Sequence, residues 1–259
     1  MKTKIPQTAL SAAVAAAQSA GRIMLINLPR PKAVHSSEAH DIKLELDLQC
    51  QEIIRKRLVQ DFPSFPLLGE EGMSGDVTAD YRWVVDPIDG TVNYFYGMPH
   101  AAVSIALQYQ EQSIVGVVYD PFTNEMWTAS RGTRTKLNGR PVQVSRRSKL
   151  QDAMIAMGFS KDKENLKQSL PHLNRLVGRV KKLRILGSAA LELAYVSCGR
   201  LDAYVERRIN LWDIAAGGLL VESAGGSFFA RPVPGEYRYT LCADNGLLRR
   251  KLHISSLLR

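Results

Sequence analysis

Apolar positions along this chain of 259 residues follow two periods, and the change of period marks out its elements. Across residues 8–28 small and apolar positions recur at helical spacing, which predicts an amphipathic helix ended by the breaker-rich Pro29-Arg30-Pro31. A second helix is predicted over residues 46–62. Past Pro63 and Pro66, the runs 83–85, 102–109, 114–119 and 126–129 are strand-like, and the turn residues between them imply a mixed or antiparallel sheet. From Asp152 the pattern alternates: strand at 153–157, helix at 166–177, strand at 183–186, helix at 189–197. Short runs at 203–205, 226–230 and 239–243 predict further strands, with helices between and after them. No repeat or flexible linker separates the halves, so residues 1–259 read as one domain with sub-halves of about 1–150 and 151–259.

Composition narrows the class. With 45% hydrophobic and 23% charged residues and no low-complexity tract, the chain has the profile of a globular protein, and disorder is excluded. A net charge of +9 fits an anionic partner such as a phosphate ester, a nucleic acid or an acidic membrane. The basic residues fall in short groups (Arg146-Arg147, Lys181-Lys182, Arg207-Arg208, Arg249-Arg250-Lys251) without interleaved aromatics, so a solvated surface explains them and nucleic acid is not an expected partner. Cys50, Cys198 and Cys242 are odd in number and widely spaced, which argues against a disulfide framework and a zinc site and suits a reducing cytoplasm. The alanine-rich stretch after Met1-Lys2-Thr3-Lys4 imitates a secretory signal. It is broken by Ser11, Gln18 and Ser19 and runs on into Ile23, Leu25 and Ile26, so it reads as the first helix; no membrane partner is expected.

Carboxylates gather where apolar runs stop. Val84-Val85 leads straight into Asp86-Pro87-Ile88-Asp89-Gly90-Thr91, placing two aspartates on a turn set by a rigid strand. Gly90 permits backbone geometry that a side chain forbids, and Thr91 can open a helix whose amides would hold an anion. Gly69-Glu70-Glu71-Gly72 follows Pro66-Leu67-Leu68 in the same way, and Asp213 follows Leu211-Trp212 and opens the apolar run 214–223. Turn or helix capping is the plain alternative for Asp86 and Asp89, and for Asp213 taken alone an N-cap is preferred. There is no serine or cysteine motif for a covalent phosphoenzyme and no Walker-type loop, and His35, His40, His100, His172 and His253 show no ligand spacing.

The string WVVDPIDGTVNYFYGMP, with LGEEG upstream and LWDIAAGGLLVESAGG downstream, resembles the inositol monophosphatase family in order and spacing over essentially the whole chain. The resemblance implies an α+β fold, a layered α-β-α-β-α sandwich of the inositol monophosphatase/fructose-1,6-bisphosphatase type. It implies a phosphatase in which Glu70, Asp86, Asp89, Asp213 and the Ile88 carbonyl bind two or three Mg²⁺, with Mn²⁺ as an alternative. Crowded carboxylates repel and need cations, and hard oxygen donors select such metals over zinc. Catalysis would rest on Glu70, Thr91 and Asp47, with direct attack by a metal-bound water. Asp89, Gly90, Thr91, Gly187, Ser188, Ala189, Glu206 and Asp213 would hold the substrate.

Within the family, VNYFYGMP is closer to the inositol monophosphate branch than to the bisphosphate nucleotidases; fructose-bisphosphate and histidinol phosphatases share the metal core. A homodimer is implied as well. From another class, an RNA-associated regulatory role stays open, since some relatives are implicated in transcription complexes. Two departures stand out where the family commonly reads D-x-V-T-x-x-D: Leu44 replaces threonine, and Lys43 is a cation beside the expected metal site, either replacing part of a metal's charge or lying on the surface. For Glu206, a surface pairing with Arg207 or Arg208 is the alternative to substrate recognition.

Overall fold

Residues 5–38, 41–159 and 163–252 are described by the structure, a computed structural model; residues 1–4, His40 and His253 lie outside them. The first elements are α1 (Ala9–Asn27), β1 (Val34–Glu38), β2 (Asp41–Leu44), α2 (Glu45–Asp61), β3 (Leu67–Gly69), β4 (Gly72–Ser74) and β5 (Tyr81–Asp89). Then come α3 (Thr91–Phe95), β6 (Ala102–Tyr109), β7 (Gln112–Asp120), β8 (Glu125–Ser130), β9 (Lys136–Leu137) and β10 (Arg140–Pro141). The chain continues through β11 (Met154–Met157), α4 (Lys163–Val177), β12 (Lys182–Arg184), α5 (Ala189–Ser197), β13 (Ala203–Asn210), α6 (Leu211–Ser223), β14 (Ser227–Pro232) and β15 (Arg238–Asp244).

Strand alternation builds the layers, because successive side chains leave opposite faces of a sheet. The eight-stranded sheet has the order β10-β9-β8-β7-β6-β5-β3-β4, and the five-stranded sheet β12-β11-β13-β15-β14. On one face of the larger sheet Trp83, Val85, Ile105, Leu107, Val115 and Val117 pack with α1 and α2. On its other face Val84, Ala102, Ala106 and Val118 meet α5 and α6. The smaller sheet repeats the division: Ala156, Tyr204, Leu241 and Ala243 face α5 and α6, while Ile155, Met157, Val205 and Cys242 face the side covered by α4. The result is the expected α-β-α-β-α sandwich, with α5 and α6 buried between the sheets.

Small residues let the outer layer close. The inward face of α1 is Ala9, Ala12, Ala13, Ala16, Ala17, Ala20, Gly21 and Met24, and a Cβ on Gly21 would stand 2.5 Å from the Tyr119 ring. By length and composition α1 could cross a membrane; here its alanine face packs on β6 and β7. The second helix starts one residue earlier than predicted, at Glu45, and α4 three earlier, at Lys163. The β1–β2 hairpin was not predicted; Val34-His35-Ser36-Ser37-Glu38 carries almost no apolar alternation.

Candidate active site

Strand register brings Glu70 and Asp86 together. Strands β3 and β5 run parallel with Gly69 opposite Val85, so Glu70 and Asp86 leave the sheet side by side at its carboxyl edge. The Glu70 amide extends the ladder by donating to the Val85 carbonyl at 3.1 Å. Asp86 and Asp89, three apart, would point to opposite faces of a regular strand. Against β6, however, Asp86 pairs with Ser104 and Asp89 with Ala102, so β5 carries one extra residue between them. That bulge returns both aspartates to one side.

Oxygens of Asp86, Asp89 and Asp213 lie within 4.8 Å of one another. Each carboxylate is oriented by donors that leave acceptor capacity over. Asp86 accepts the Ile88 amide at 3.0 Å, and Asp213 the Asn210 amide at 3.1 Å. Asp89 accepts the Ser188 hydroxyl at 2.5 Å and the Ala189 and Ala190 amides at 3.3 and 2.7 Å. Capping is therefore real, with a different geometry from the expected one. Helix α6 opens at Leu211 with Asn210 as its N-cap, and Asp213 reaches back from the first turn instead of standing at the cap. Asp89 serves α5, about a hundred residues on, and not the helix that follows it.

Electrostatics make the cluster receptive to cations. Burial first, then Glu70, Asp89, Asp213 and Asp47, hold the Asp86 carboxyl well above the usual carboxylate range. Burial and then the Glu70 and Asp89 charges do the same to Asp213. Burial, Glu71 and Asp47 push Glu70 up to about 8, opposed by Lys43 and by a hydrogen bond with Asp86. Asp89 is pushed by burial to about 6, its donors from Ser188 and α5 holding it down. Carboxylates forced this high bind protons or metal, and the donor set, oxygen throughout, suits a hard divalent cation.

The surrounding residues fall as follows. Asp47 is buried in the first turn of α2, where it accepts the Leu44 amide at 2.7 Å. Leu44 points into the core under α1 and α2, which accounts for an apolar residue at that position. Lys43 directs its Nζ to Glu71, 3.2 Å away, so the cation is bound to the neighbour of Glu70 and acts on Glu70 through space. Gly90 has φ +93, and a Cβ there would stand 3.0 Å from the His100 carbonyl oxygen and 3.1 Å from that of Gly187, so glycine is required twice over. The Thr91 hydroxyl donates to the Ile88 carbonyl at 2.8 Å. Its proton is thereby committed, while its oxygen remains able to accept. Glu206 accepts the Tyr204 hydroxyl, and Arg207 donates to Gln168.

Sequence reasoning missed Asn93 and Glu192. The Asn93 amide donates to the carbonyls of His100 at 3.0 Å and Leu186 at 2.8 Å, joining the turn after Asp89 to the segment before α5. Glu192 accepts the Leu186 amide at 3.2 Å and is 1% exposed. A single charge inside the apolar run Ala189-Ala190-Leu191-Glu192-Leu193-Ala194 was the available signal.

Known proteins resemble this chain in sequence and fold. The family model described as "Inositol monophosphatase family" matches residues 6–247. The chain is 41% identical over 229 residues to "Nus factor SuhB" of Pseudomonas aeruginosa, covering 85% of this chain and 84% of that protein. It is 42% identical over 188 residues to "Inositol-1-monophosphatase" of Rhizobium meliloti, covering 72% and 71%. The crystal structure of extragenic suppressor protein suhB from Bartonella henselae superposes with a TM-score of 0.88 at 34% identity, over 95% of this chain and 97% of that one.

Proposed function

The chain belongs to the inositol monophosphatase family, and on that premise we propose that it is a Mg²⁺-dependent phosphatase that hydrolyses a small phosphorylated polyol, inositol monophosphate foremost, by direct attack of water. The observation that carries this reading is the set of three carboxylates within 4.8 Å at the edge where Glu70 also emerges. Glu70, Asp86, Asp89, Asp213 and the Ile88 carbonyl would hold the ions. Bound Mg²⁺ supplies Lewis-acid activation of the water and charge neutralisation at phosphorus.

The chain's own residues do the rest. Glu70 accepts the proton of the attacking water. Thr91, with its proton committed to Ile88, orients that water by accepting a hydrogen bond from it. Asp47 adds charge from the first turn of α2. Gly90 and Thr91 offer backbone to the phosphate, while Gly187, Ser188, Ala189 and Asp213 border the leaving group. Ser188 and Ala189 do so while holding Asp89. Glu206 accepts hydrogen bonds from substrate hydroxyls, favouring a polyol over an apolar ester.

Phosphate release from inositol 1-phosphate, fructose 1,6-bisphosphate, adenosine 3′,5′-bisphosphate and histidinol phosphate, with and without Mg²⁺, tests the reading. The expected result is Mg²⁺-dependent release, greatest with inositol 1-phosphate; preference for another ester moves the protein to that branch. A second reading, an RNA-associated regulatory protein, is favoured by the name "Nus factor" on several relatives and by the net charge of +9. Salt-sensitive RNA retention with no release from any ester establishes it instead.

We also propose a cytoplasmic homodimer. Tyr96 and Met98, just after α3, and Ile185, just before Leu186, are exposed apolar side chains (72%, 52% and 60%), and Cys50, Cys198 and Cys242 are all free thiols. Sedimentation velocity is expected to give the dimer mass; a monomer at all concentrations overturns the assembly.

A further inference from the structure

Behind the site lies a buried polar group that the proposed chemistry leaves unused. Tyr204, on the inner face of β13, is fully buried between the sheets, and its hydroxyl donates to Glu206 Oε2. Glu192, on α5, is buried as well, and its carboxyl accepts the Leu186 amide at 3.2 Å. A phenol has one proton. Tyr204 gives it to Glu206 and so holds that carboxylate by one oxygen. Glu192 thus braces the segment before α5, and Tyr204 the proposed polyol acceptor. Gly158 completes the seat: a Cβ there would fall 1.7 Å from Glu206 Oε2, so the carboxylate occupies the space that glycine leaves.

We propose that Glu192 and Tyr204 are positioning residues for substrate selectivity, Tyr204 fixing the Glu206 carboxylate and Glu192 the Leu186–Gly187 backbone, each through a buried hydrogen bond. The inference rests on the phosphatase reading and assigns what makes that site prefer a polyol. Tyr204 spends its one proton on one oxygen of Glu206, so the other oxygen is presented to the substrate. Glu192, through the Leu186 amide, holds the backbone that leads into Gly187 and Ser188, where Asn93 grips the Leu186 carbonyl. Hydroxyl-bearing substrates depend on both; an ester without hydroxyls depends on neither.

The test compares inositol 1-phosphate with p-nitrophenyl phosphate, both with Mg²⁺, in Tyr204→Phe, Glu192→Leu, Glu192→Gln and Gly158→Ala. Tyr204→Phe and Glu192→Leu are expected to raise KM for inositol 1-phosphate about tenfold with kcat nearly unchanged, and to leave p-nitrophenyl phosphate hydrolysis as it was. Glutamine keeps the acceptor for the Leu186 amide, so Glu192→Gln is expected to keep wild-type selectivity. Gly158→Ala should repeat the Tyr204→Phe pattern by displacing Glu206. Hydrogen exchange read at the Leu186 amide should quicken in Glu192→Leu and stay slow in Glu192→Gln. Equal losses on both esters, or unchanged selectivity in Tyr204→Phe, overturn the inference while leaving the phosphatase reading intact. A wild-type protein inert on both esters overturns the phosphatase reading and this inference with it.

Discussion

Replacing Asp86 by asparagine is expected to abolish Mg²⁺-dependent phosphate release and, in the same protein, to raise the melting temperature measured in EDTA. Both effects follow from the position of the carboxyl. It is 1% exposed and faces Glu70, Asp89 and Asp213, so burial and like charge hold it far above its ordinary titration range. Folding therefore requires it to take up a proton that the unfolded chain has released near neutral pH, a cost that asparagine avoids. Asparagine also keeps the acceptor for the Ile88 amide, so the turn survives. What is lost is a negative ligand at the centre of the cluster. If the ions contribute several kcal/mol to the transition state, of which this ligand carries about 4 kcal/mol, the rate falls about a thousandfold. A stability gain of about 1 kcal/mol would appear as roughly 2–4 °C at this chain length. Phosphate release above a tenth of wild type, or a lower melting temperature in EDTA, contradicts the assignment.

The parts of the site written locally in the sequence are those where an apolar run stops on a carboxylate. Asp86 and Asp89 stand out because a strand of bulky apolar residues ends on them, and Glu70 because a shorter run does the same. The layered fold is legible for a similar reason: the near-continuous apolar runs at 102–109 and 114–119, as expected of strands covered on both faces, and the alanine periodicity of α1 each persist over several residues or turns. What stays hidden depends on contacts between distant residues. The bulge that turns Asp86 and Asp89 to one side exists only relative to β6. The bonds from Ser188, Ala189 and Ala190 to Asp89 span about a hundred residues, and no periodicity records them.

Lys43 illustrates the same limit. Its charge and nearness to Asp47 suggested an influence on the metals, and its charge does act on Glu70. Its direct partner, Glu71, is a residue that local reading treated as half of an acidic pair. Likewise Leu44 looked like the loss of a hydroxyl until its side chain was seen to be core. In each case the residue type was informative and the partner was not.

Magnesium is expected to raise the melting temperature more as the pH rises from 5.5 to 8. In the metal-free fold Glu70 is pushed from 4.5 up to about 8 and Asp89 from 3.8 up to about 6. Both folded values exceed the unfolded ones, so the folded state holds protons that the unfolded chain has already released. Their stabilising contribution is complete below about pH 4 and is lost as pH climbs through 6 and then 8. Cations reverse the balance, because they bind the ionised carboxylates and must displace any protons first. At pH 5.5 protons compete well, and Mg²⁺ adds little. Near pH 8 Asp89 is ionised and Glu70 about half so, fewer protons compete, and Mg²⁺ at a hundred times its dissociation constant would add about 2.7 kcal/mol, or roughly 5–11 °C. Thermal melts in Mg²⁺ and in EDTA across this range read the difference directly. A Mg²⁺ increment that is flat with pH, or largest at pH 5.5, would mean that the ion binds elsewhere and that Glu70 and Asp89 do not hold it.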